Sequence, residues 1–279
     1  MKDFILSAFA DEAASDIKGQ ILNMQKNGIS GLEIRNANGK NITELSLDEV
    51  KEIKKQLSDA GLFTWSIGSP IGKIILDDDF SAHLDVLKRT LEYADVLEAK
   101  RLRMFSFFIK DDQNIADCKD QVFENLAKFC EVSKDSGILL CHENEKGIYG
   151  DNADRCLEIL KQFPSIRQVF DPANFVQCSQ DTVEAWKKLK DFVDYVHIKD
   201  ALPDGSVVPA GKGDGNVKFI LDEYYKQGGR NLTLEPHLTN FPGLSKLELD
   251  EKRSEVGSYC YGSMEEAFEA ATTHLRELF

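Results

Sequence analysis

Short apolar runs alternate along this chain with longer segments in which apolar residues recur at helical spacing. Such alternation is typical of a parallel sheet built from strand–helix units. Eight strands are predicted, at 4–9, 31–35, 63–67, 102–107, directly after Gly137, and at 166–170, 193–198 and 231–235. A helical segment follows each of them. The pattern therefore predicts an α/β protein with eight repeated units.

The helical segments carry their own start and stop signals. Ser46 is a candidate N-cap and Gly61 ends that helix, while Asp151 or Asn152 can cap a later one. Further helices are predicted near 79–98, 114–135, 181–190, 217–225 and 264–278. Eight such units within 279 residues predict one (β/α)₈ TIM barrel over residues 1–279. An open doubly wound sheet is the alternative, but its Gly-rich turn is missing at residues 10–13.

The N-terminal run, the length of the apolar runs and the cysteines bear on the compartment in which the protein is found. The apolar run near the N-terminus is short and is followed by Asp11 and Glu12, so we interpret it as the first strand rather than a signal peptide. No run is long enough for a membrane helix, and six scattered cysteines predict no disulfide framework. We therefore expect a soluble, cytoplasmic protein with no membrane partner.

The net charge of −14 argues against binding to nucleic acid, because affinity for phosphate depends on clustered Lys and Arg. Small polar or carbohydrate substrates fit this charge better.

Polar side chains stand at the ends of the last four predicted strands. They are Glu143, Asp171, His197 and Glu235. Because strand ends meet at one mouth of such a barrel, these groups are expected to converge. Three carboxylates and one imidazole form a hard ligand set that favours Mn²⁺ or Mg²⁺, with Co²⁺ or Zn²⁺ as further candidates. A purely structural role is the alternative, since Asp171 can start a turn and Glu143 can cap a helix.

Strand alternation ranks the neighbours of these four residues. Glu145, Lys199 and His237 each lie two residues beyond a predicted ligand and so share its face. We predict that they bind substrate or orient the ligands. The same rule turns His142 away from the barrel axis.

Basic residues in glycine-containing loops are a further set of candidates. Lys73 and Lys212 are predicted substrate contacts, because such loops let backbone N–H groups approach an anion. Arg35 and Arg103 are weaker candidates for the same role. The Gly- and Pro-rich segment 203–215 is interpreted as an active-site loop.

The predicted strands and the loop before the last of them carry a set of motifs: Phe-Ala-Asp-Glu, Gly-Leu-Glu-Ile-Arg, His-Glu-Asn-Glu, Phe-Asp-Pro-Ala-Asn, His-Ile-Lys-Asp and Gly-Lys-Gly-Asp-Gly before Leu-Glu-Pro. Together these motifs resemble the xylose isomerase-like TIM-barrel superfamily of sugar phosphate isomerases and epimerases. The resemblance covers nearly the whole chain, and D-tagatose 3-epimerase-like enzymes and inosose dehydratases are similar. It implies a metal held by Glu143, Asp171, His197 and Glu235, with the two glutamates as the acid/base pair.

The chain also departs from that family's pattern. Asn174 stands where the epimerases commonly have a His, and Lys199 and Asp200 stand near the place of an Arg. Asn174 is thus predicted to be a substrate contact of a different kind.

The resulting hypothesis is a divalent-metal-dependent isomerase or epimerase that removes a proton next to a carbonyl through an enediolate. A metal-dependent lyase of the inosose dehydratase type is the alternative. A non-catalytic ligand-binding barrel and an endonuclease-IV-like nuclease are less favoured, the latter because of the charge and only five histidines. A homo-oligomer is compatible with the sequence, in which residues 238–261 would shape an interface or cover the site.

Overall fold

Eight parallel strands close into a barrel in the computed structural model, which describes residues 2–242, 259 and 261–279. Each strand pairs with its neighbours in chain order, and the last closes on the first, with Ile5 opposite Asn231 and Ala8 opposite Leu234. The strands are β1 (Ile5–Ala8), β2 (Gly31–Ile34), β3 (Phe63–Ile67), β4 (Arg101–Met104), β5 (Leu139–Glu143), β6 (Ile166–Phe170), β7 (Val193–Ile198) and β8 (Asn231–Leu234). The predicted TIM barrel is confirmed.

Helices surround this barrel and begin largely where the sequence places their caps. They are α1 (Ile17–Lys26), α2 (Leu47–Asp59), α3 (Phe80–Val96), α4 (Lys119–Ser133), α5 (Ala153–Gln162), α6 (Pro172–Gln177), α7 (Thr182–Leu189), α8 (Val217–Lys226) and α9 (Met264–Glu277). The Ser46 side chain accepts a hydrogen bond from the Glu49 N–H and the Glu49 carboxylate accepts one from the Ser46 N–H, so a capping box starts α2. Asn152, rather than Asp151, caps α5.

The predicted boundaries of two elements were wrong for identifiable reasons. Strand β4 ends at Met104 rather than residue 107, because the backbone beyond it bonds to the preceding loop: Phe105 N–H donates to the Ile71 carbonyl at 2.8 Å. Helix α4 starts at Lys119 rather than residue 114, since a turn around Asn114 precedes it, with Asp117 N–H bonded to the Asn114 carbonyl. Local apolar spacing could not reveal either competing hydrogen bond.

Several short elements were not predicted, and two of them follow strands of the candidate site. Helix α6 begins directly after Asp171, whose side chain accepts from the Asn174 N–H, with Pro172 in the first turn. A two-stranded antiparallel ribbon pairs Asp200–Ala201 with Val207–Val208, and only its second strand lies inside the predicted active-site loop 203–215. Both lie immediately after strands that carry candidate ligands, so they shape the mouth of the barrel.

The interior of the barrel is layered along its axis. Apolar side chains from four strands pack together inside it, namely Trp65, Leu139, Cys141, Val169 and Tyr195. Further along the same strands, the inward positions are polar, and Glu143 and His197 are both buried. Every second residue of a strand faces the barrel axis, so successive inward residues form layers. Here an apolar layer lies inside the barrel and a polar layer lies at its mouth.

No helix among the described residues is both long and apolar enough to cross a membrane. Most of segment 238–261, predicted to form an interface or cover the site, lies outside the described residues.

Candidate metal and substrate site

The four side chains predicted at the ends of β5 to β8 come together in a buried cluster, here called the cage. Glu143, Asp171, His197 and Glu235 each offer one ligand atom, and these atoms lie within 4.8 Å of one another. All four are at most 3% exposed. Residues 26 to 92 positions apart in sequence meet only because parallel strands end at one mouth.

Within the cage, His197 presents its Nδ1 atom to the carboxylates. Nδ1 lies 3.0 Å from Glu143 Oε1, 3.5 Å from Glu235 Oε2 and 4.0 Å from Asp171 Oδ2. Two carboxylate oxygens, Glu143 Oε2 and Asp171 Oδ2, are buried without a hydrogen-bond partner among the described residues. Each is 3.1 Å from a cation, Arg103 or Lys199, but outside hydrogen-bond geometry. Buried oxygens left in this state are suited to receive an ion.

The donor set fits a divalent cation. Three carboxylates and one imidazole match Mn²⁺, Mg²⁺, Co²⁺ or Zn²⁺, and all four residues project into one space. The mutual approach of three carboxylates also indicates that a positive charge belongs there, since like charges at this separation repel one another strongly when buried.

The pKa values of the cage residues are shifted because several ionisable groups lie close together in a buried space. Burial, together with the nearby Glu143 and Glu235, raises the pKa of Asp171 to about 7 despite Lys199. Burial opposes ionisation of Glu143 too, but His197 and Arg103 overcome it and lower its pKa to about 2. For His197, burial favours the neutral ring, yet Glu143 and Glu33 raise its pKa well above the usual range.

Glu33 stands behind His197 and was missed as a site residue. Its Oε2 atom is 3.3 Å from His197 Nε2, the nitrogen on the far side of the ring from the cage, and its Oε1 accepts from the Tyr195 hydroxyl at 2.8 Å. A carboxylate in this position fixes the ring orientation and leaves Nδ1 to bind a metal. The signal in the sequence was a charged residue inside the otherwise apolar run Gly31–Ile34.

A second buried network occupies the β1 and β2 side of the mouth. Arg35 bonds Asp11 through Nε at 2.9 Å and Nη2 at 3.0 Å, Glu12 at 2.9 Å and Glu235 at 3.1 Å. His237 joins it, with Nε2 3.3 Å from Glu12 Oε1 and 3.5 Å from Glu235 Oε1. Arg35 was considered as an anion site, but the structure gives it carboxylate partners already. Glu12 was not predicted to take part.

Two more predicted contacts touch the cage. Lys199 Nζ is 3.0 Å from Glu235 Oε2, and Asn174 Nδ2 donates to Glu143 Oε1 at 3.3 Å. Asn144 holds the backbone of Asp171 from both sides, donating to its carbonyl and accepting from its N–H. These contacts orient the ligands, and a substrate role for Lys199 and Asn174 stays a prediction.

The remaining predicted residues lie farther from the four ligand atoms. Lys73 and Glu145 form an ion pair of 2.9 Å in which both side chains are largely buried. His142 Nε2 lies 3.0 Å from Ser106 Oγ, and burial lowers the pKa of His142 to about 4. His142 is thus a neutral, buried residue beside Ser106, in keeping with its predicted turn away from the axis.

The loop that carries Lys212 binds an anion of the protein itself. The N–H groups of Gly211, Gly213 and Gly215 donate to the Asp200 carboxylate at 2.9, 3.0 and 2.8 Å. Lys212 is exposed. Asp200 therefore occupies the N–H groups that were expected to approach a substrate anion, and a substrate role for Lys212 stays a prediction.

Comparison with known proteins places the chain. Residues 21–246 match the model of the xylose isomerase-like TIM barrel. The chain belongs to this family. Among curated proteins, no sequence matches it.

Solved structures with the same barrel include enzymes of different activities. A probable 3-DHS dehydratase, AsbF, from Bacillus anthracis is 14% identical, with a TM-score of 0.73 and 98% of both chains covered. An L-ribulose 3-epimerase is 18% identical, with a TM-score of 0.73 over 98% of this chain and 93% of that one. The IOLI protein with a bound zinc atom is 15% identical, with a TM-score of 0.72 over 98% and 97%. At these identities the likeness shows the fold alone.

Proposed function

We propose that the protein is a divalent-metal-dependent isomerase or epimerase acting on a sugar or a sugar derivative. The observation that carries the proposal is the cage, in which four strand ends bring three carboxylates and one imidazole within 4.8 Å of one another. Lys199 and Arg103 lie against the cluster and offset part of the repulsion among its carboxylates. Two of its oxygens lack hydrogen-bond partners among the described residues.

A divalent ion bound in this cage would polarise a substrate carbonyl and stabilise the negative charge that develops when a neighbouring proton is removed. Glu143 and Glu235 are the proposed proton-transferring pair, since they project from strands β5 and β8 into the same space. Asp171 and His197 complete the ligand set. Glu33 holds the His197 ring, and Asn144 holds the Asp171 backbone.

The charges around the glutamates support this division of roles. Arg103 Nη1 lies 3.1 Å from Glu143 Oε2, which keeps that carboxylate ionised. Lys199 lies against Glu235 and Asp171 and can donate to a substrate oxygen nearby. A small carbohydrate in the cytoplasm, rather than a nucleic acid, is the proposed partner, in line with the net charge of −14.

The test is proton exchange measured by NMR in D₂O with ketoses, inososes and sugar phosphates. The protein should exchange one carbon-bound proton of its substrate when loaded with Mn²⁺, lose that exchange after treatment with a chelator, and regain it when Mn²⁺ returns. Full exchange by the metal-free protein would overturn the proposal. Loss of a water from the product, seen by mass, would instead identify the dehydratase reaction.

A further inference from the structure

The segment that follows β7 folds round one of its own carboxylates. Asp200 is fully buried, and its Oδ2 atom accepts hydrogen bonds from the N–H groups of Gly211 and Gly213 at 2.9 and 3.0 Å. Its Oδ1 atom accepts from Gly215 and Ala201 at 2.8 and 2.9 Å. These four backbone donors are here called the nest. Because hydrogen bonds to a carboxylate are stronger than those between neutral groups, the nest fixes loop 201–215 to Asp200.

This close approach requires two of the glycines in the nest. A Cβ atom on Gly213 would lie 2.5 Å from Asp200 Oδ1 and 2.4 Å from the Ala201 carbonyl oxygen. A Cβ atom on Gly215 would lie 2.6 Å from Asp200 Oδ1. These distances are too short for non-bonded atoms, so a side chain at either position would displace the carboxylate. The conformation of the loop and the position of Asp200 are therefore specified together.

Lys199 extends from the other side of the same backbone. Successive residues of an extended segment point in opposite directions, and Lys199 Nζ lies 3.1 Å from Asp171 Oδ2 and 3.0 Å from Glu235 Oε2. The Glu235 N–H donates to the Ile198 carbonyl at 3.1 Å, which fixes the chain directly before Lys199. Asp200 fixes it directly after. The ammonium is thus held against the cage by backbone contacts on both sides of it in sequence.

Helix α6 borders the loop but has supports of its own. Ala201 packs against Ala173 and Val176 of this helix. The helix is capped by the Asp171 side chain, and Asn144 holds the Asp171 backbone by two hydrogen bonds. None of these hydrogen bonds involves the nest. Loss of the nest is therefore expected to act mainly on the position of Lys199.

We propose that Asp200 is a positioning residue, whose carboxylate orders loop 201–215 and thereby holds Lys199 where it can donate to a substrate oxygen. The second part rests on the proposed function, whereas the ordering of the loop does not. Without the carboxylate, four backbone N–H groups would lose their acceptor, and the loop would open to bring them to water. A small anion that fits the emptied place should close the loop again.

Limited proteolysis tests the ordering of the loop. Lys212 is exposed and lies between two glycines of the nest, so cleavage after it by trypsin reports opening of the loop. Cleavage is followed by mass spectrometry on the Mn²⁺-loaded protein. In Asp200→Ala it should be at least about tenfold faster than in the native chain, because hydrogen bonds to a charged group are lost. Sodium formate should slow it again, and sodium chloride at the same ionic strength should not.

Asp204→Ala is the matched control, because Asp204 is an exposed carboxylate of the same loop that accepts from the Ser206 N–H at 2.9 Å. Its cleavage rate should stay within about twofold of the native rate. Asp200→Asn keeps the size of the side chain but turns an amide NH₂ toward the nest, so it should be cleaved quickly and not respond to formate. Native resistance in Asp200→Ala, a rate that formate does not lower, or cleavage spread along the whole chain would overturn the ordering role.

A double-mutant cycle tests the link to Lys199. Lys199→Met should slow proton exchange in D₂O about ten- to a hundredfold, the range for a hydrogen bond to a charged group. Asp200→Ala should also slow exchange, and formate should restore the rate in Asp200→Ala but not in Lys199→Met. In the Lys199→Met background, Asp200→Ala should change the rate less than about twofold, because its effect passes through Lys199.

Independent effects of the two substitutions would overturn the positioning role. If the native protein exchanges no substrate, the proposed function and the role assigned to Lys199 fail together. The ordering of the loop by Asp200 is then still decided by the proteolysis.

Discussion

The two halves of the barrel mouth treat buried charge differently. On the β1 and β2 side, Arg35 binds Asp11, Glu12 and Glu235 at 2.9 to 3.1 Å, so the protein supplies its own counter-ion. On the β5 to β8 side, three carboxylates surround one imidazole, and oxygens of Glu143 and Asp171 lack hydrogen-bond partners among the described residues. Arg103 and Lys199 also lie 3.0 to 3.1 Å from the cage carboxylates. The two halves therefore differ in these unpartnered carboxylate oxygens, which make the cage suited to receive a cation.

The largest expected effect is on the chemistry of the cage. Glu143→Gln and Glu235→Gln should each lower the rate of proton exchange by roughly 10²- to 10⁴-fold, because an amide cannot accept the substrate proton. Exchange is followed by NMR in D₂O with the metal-loaded protein. Glu124→Gln, an exposed helical position paired with Lys128, is the control. If both cage variants kept the control's rate, the two glutamates would not be the acid/base pair.

The next largest effect is on the free energy of unfolding, which should differ between variants in the two halves of the barrel mouth. Arg35→Gln should cost about 3–5 kcal/mol of unfolding free energy, because it leaves Asp11 and Glu12 buried without their cation. In the metal-free protein, Asp171→Asn should cost less, since it relieves repulsion and keeps the oxygen that accepts from Asn174 N–H at 2.8 Å. Urea denaturation measures both.

Arg101→Gln serves as the control for Arg35, because Arg101 pairs with Asp194 where both side chains are partly exposed. Equal losses for Arg35→Gln and Arg101→Gln would remove the distinction between the two halves.

Removing a residue that orients a metal ligand should have a smaller effect, which is on the affinity for Mn²⁺. Glu33→Gln should weaken Mn²⁺ binding by about 10- to 100-fold, the range for residues that orient a ligating histidine. Calorimetric titration provides the measurement. Tyr195→Phe, which removes only the other partner of Glu33, should change the affinity less. Unchanged affinity in Glu33→Gln would show that His197 keeps its orientation without this contact.

A further effect concerns the dependence of stability on pH. Burial raises the pKa of Asp171 from 3.8 to about 7, so in the metal-free protein its proton binds the folded state more tightly than the unfolded one. The stability that this group contributes is complete below about pH 4 and is lost as the pH rises to about 7. Asp171→Asn should lack this loss. Saturating Mn²⁺ should suppress it, because an ion binds the ionised carboxylate.

Glu12, whose pKa burial raises to about 8, contributes a loss of the same sign in both proteins. The difference between the native chain and Asp171→Asn at each pH therefore isolates Asp171. An identical pH dependence of the two would contradict the assignment.

The barrel and the cage could be predicted because they follow from local patterns. Repeated strand–helix units identify the fold, and a strand end in a barrel has one destination, so Glu143, Asp171, His197 and Glu235 were found without knowledge of their contacts. Alternation also separated Glu143 from His142.

What escaped prediction depends on contacts between distant parts of the chain. Glu33 and His197 are 164 positions apart, and nothing local to either indicates the other. Arg35 was interpreted as a candidate anion-binding residue because its three carboxylate partners lie on other segments of the chain. Asp200 was missed for the same reason. The glycine N–H groups that bind its carboxylate were predicted to approach a substrate anion. Charge pairing inside a barrel is a property of the closed fold.

Anomalous scattering from Mn²⁺ in crystals of the protein would show directly whether the cage holds a metal. We expect one ion per cage, bound by Glu143, Asp171, His197 and Glu235 at about 2.0–2.3 Å. Crystals of Asp171→Asn grown in the same way should show that ion at reduced occupancy. An anomalous peak elsewhere, with the four side chains arranged as they are without an ion, would show that the cage is not a metal site.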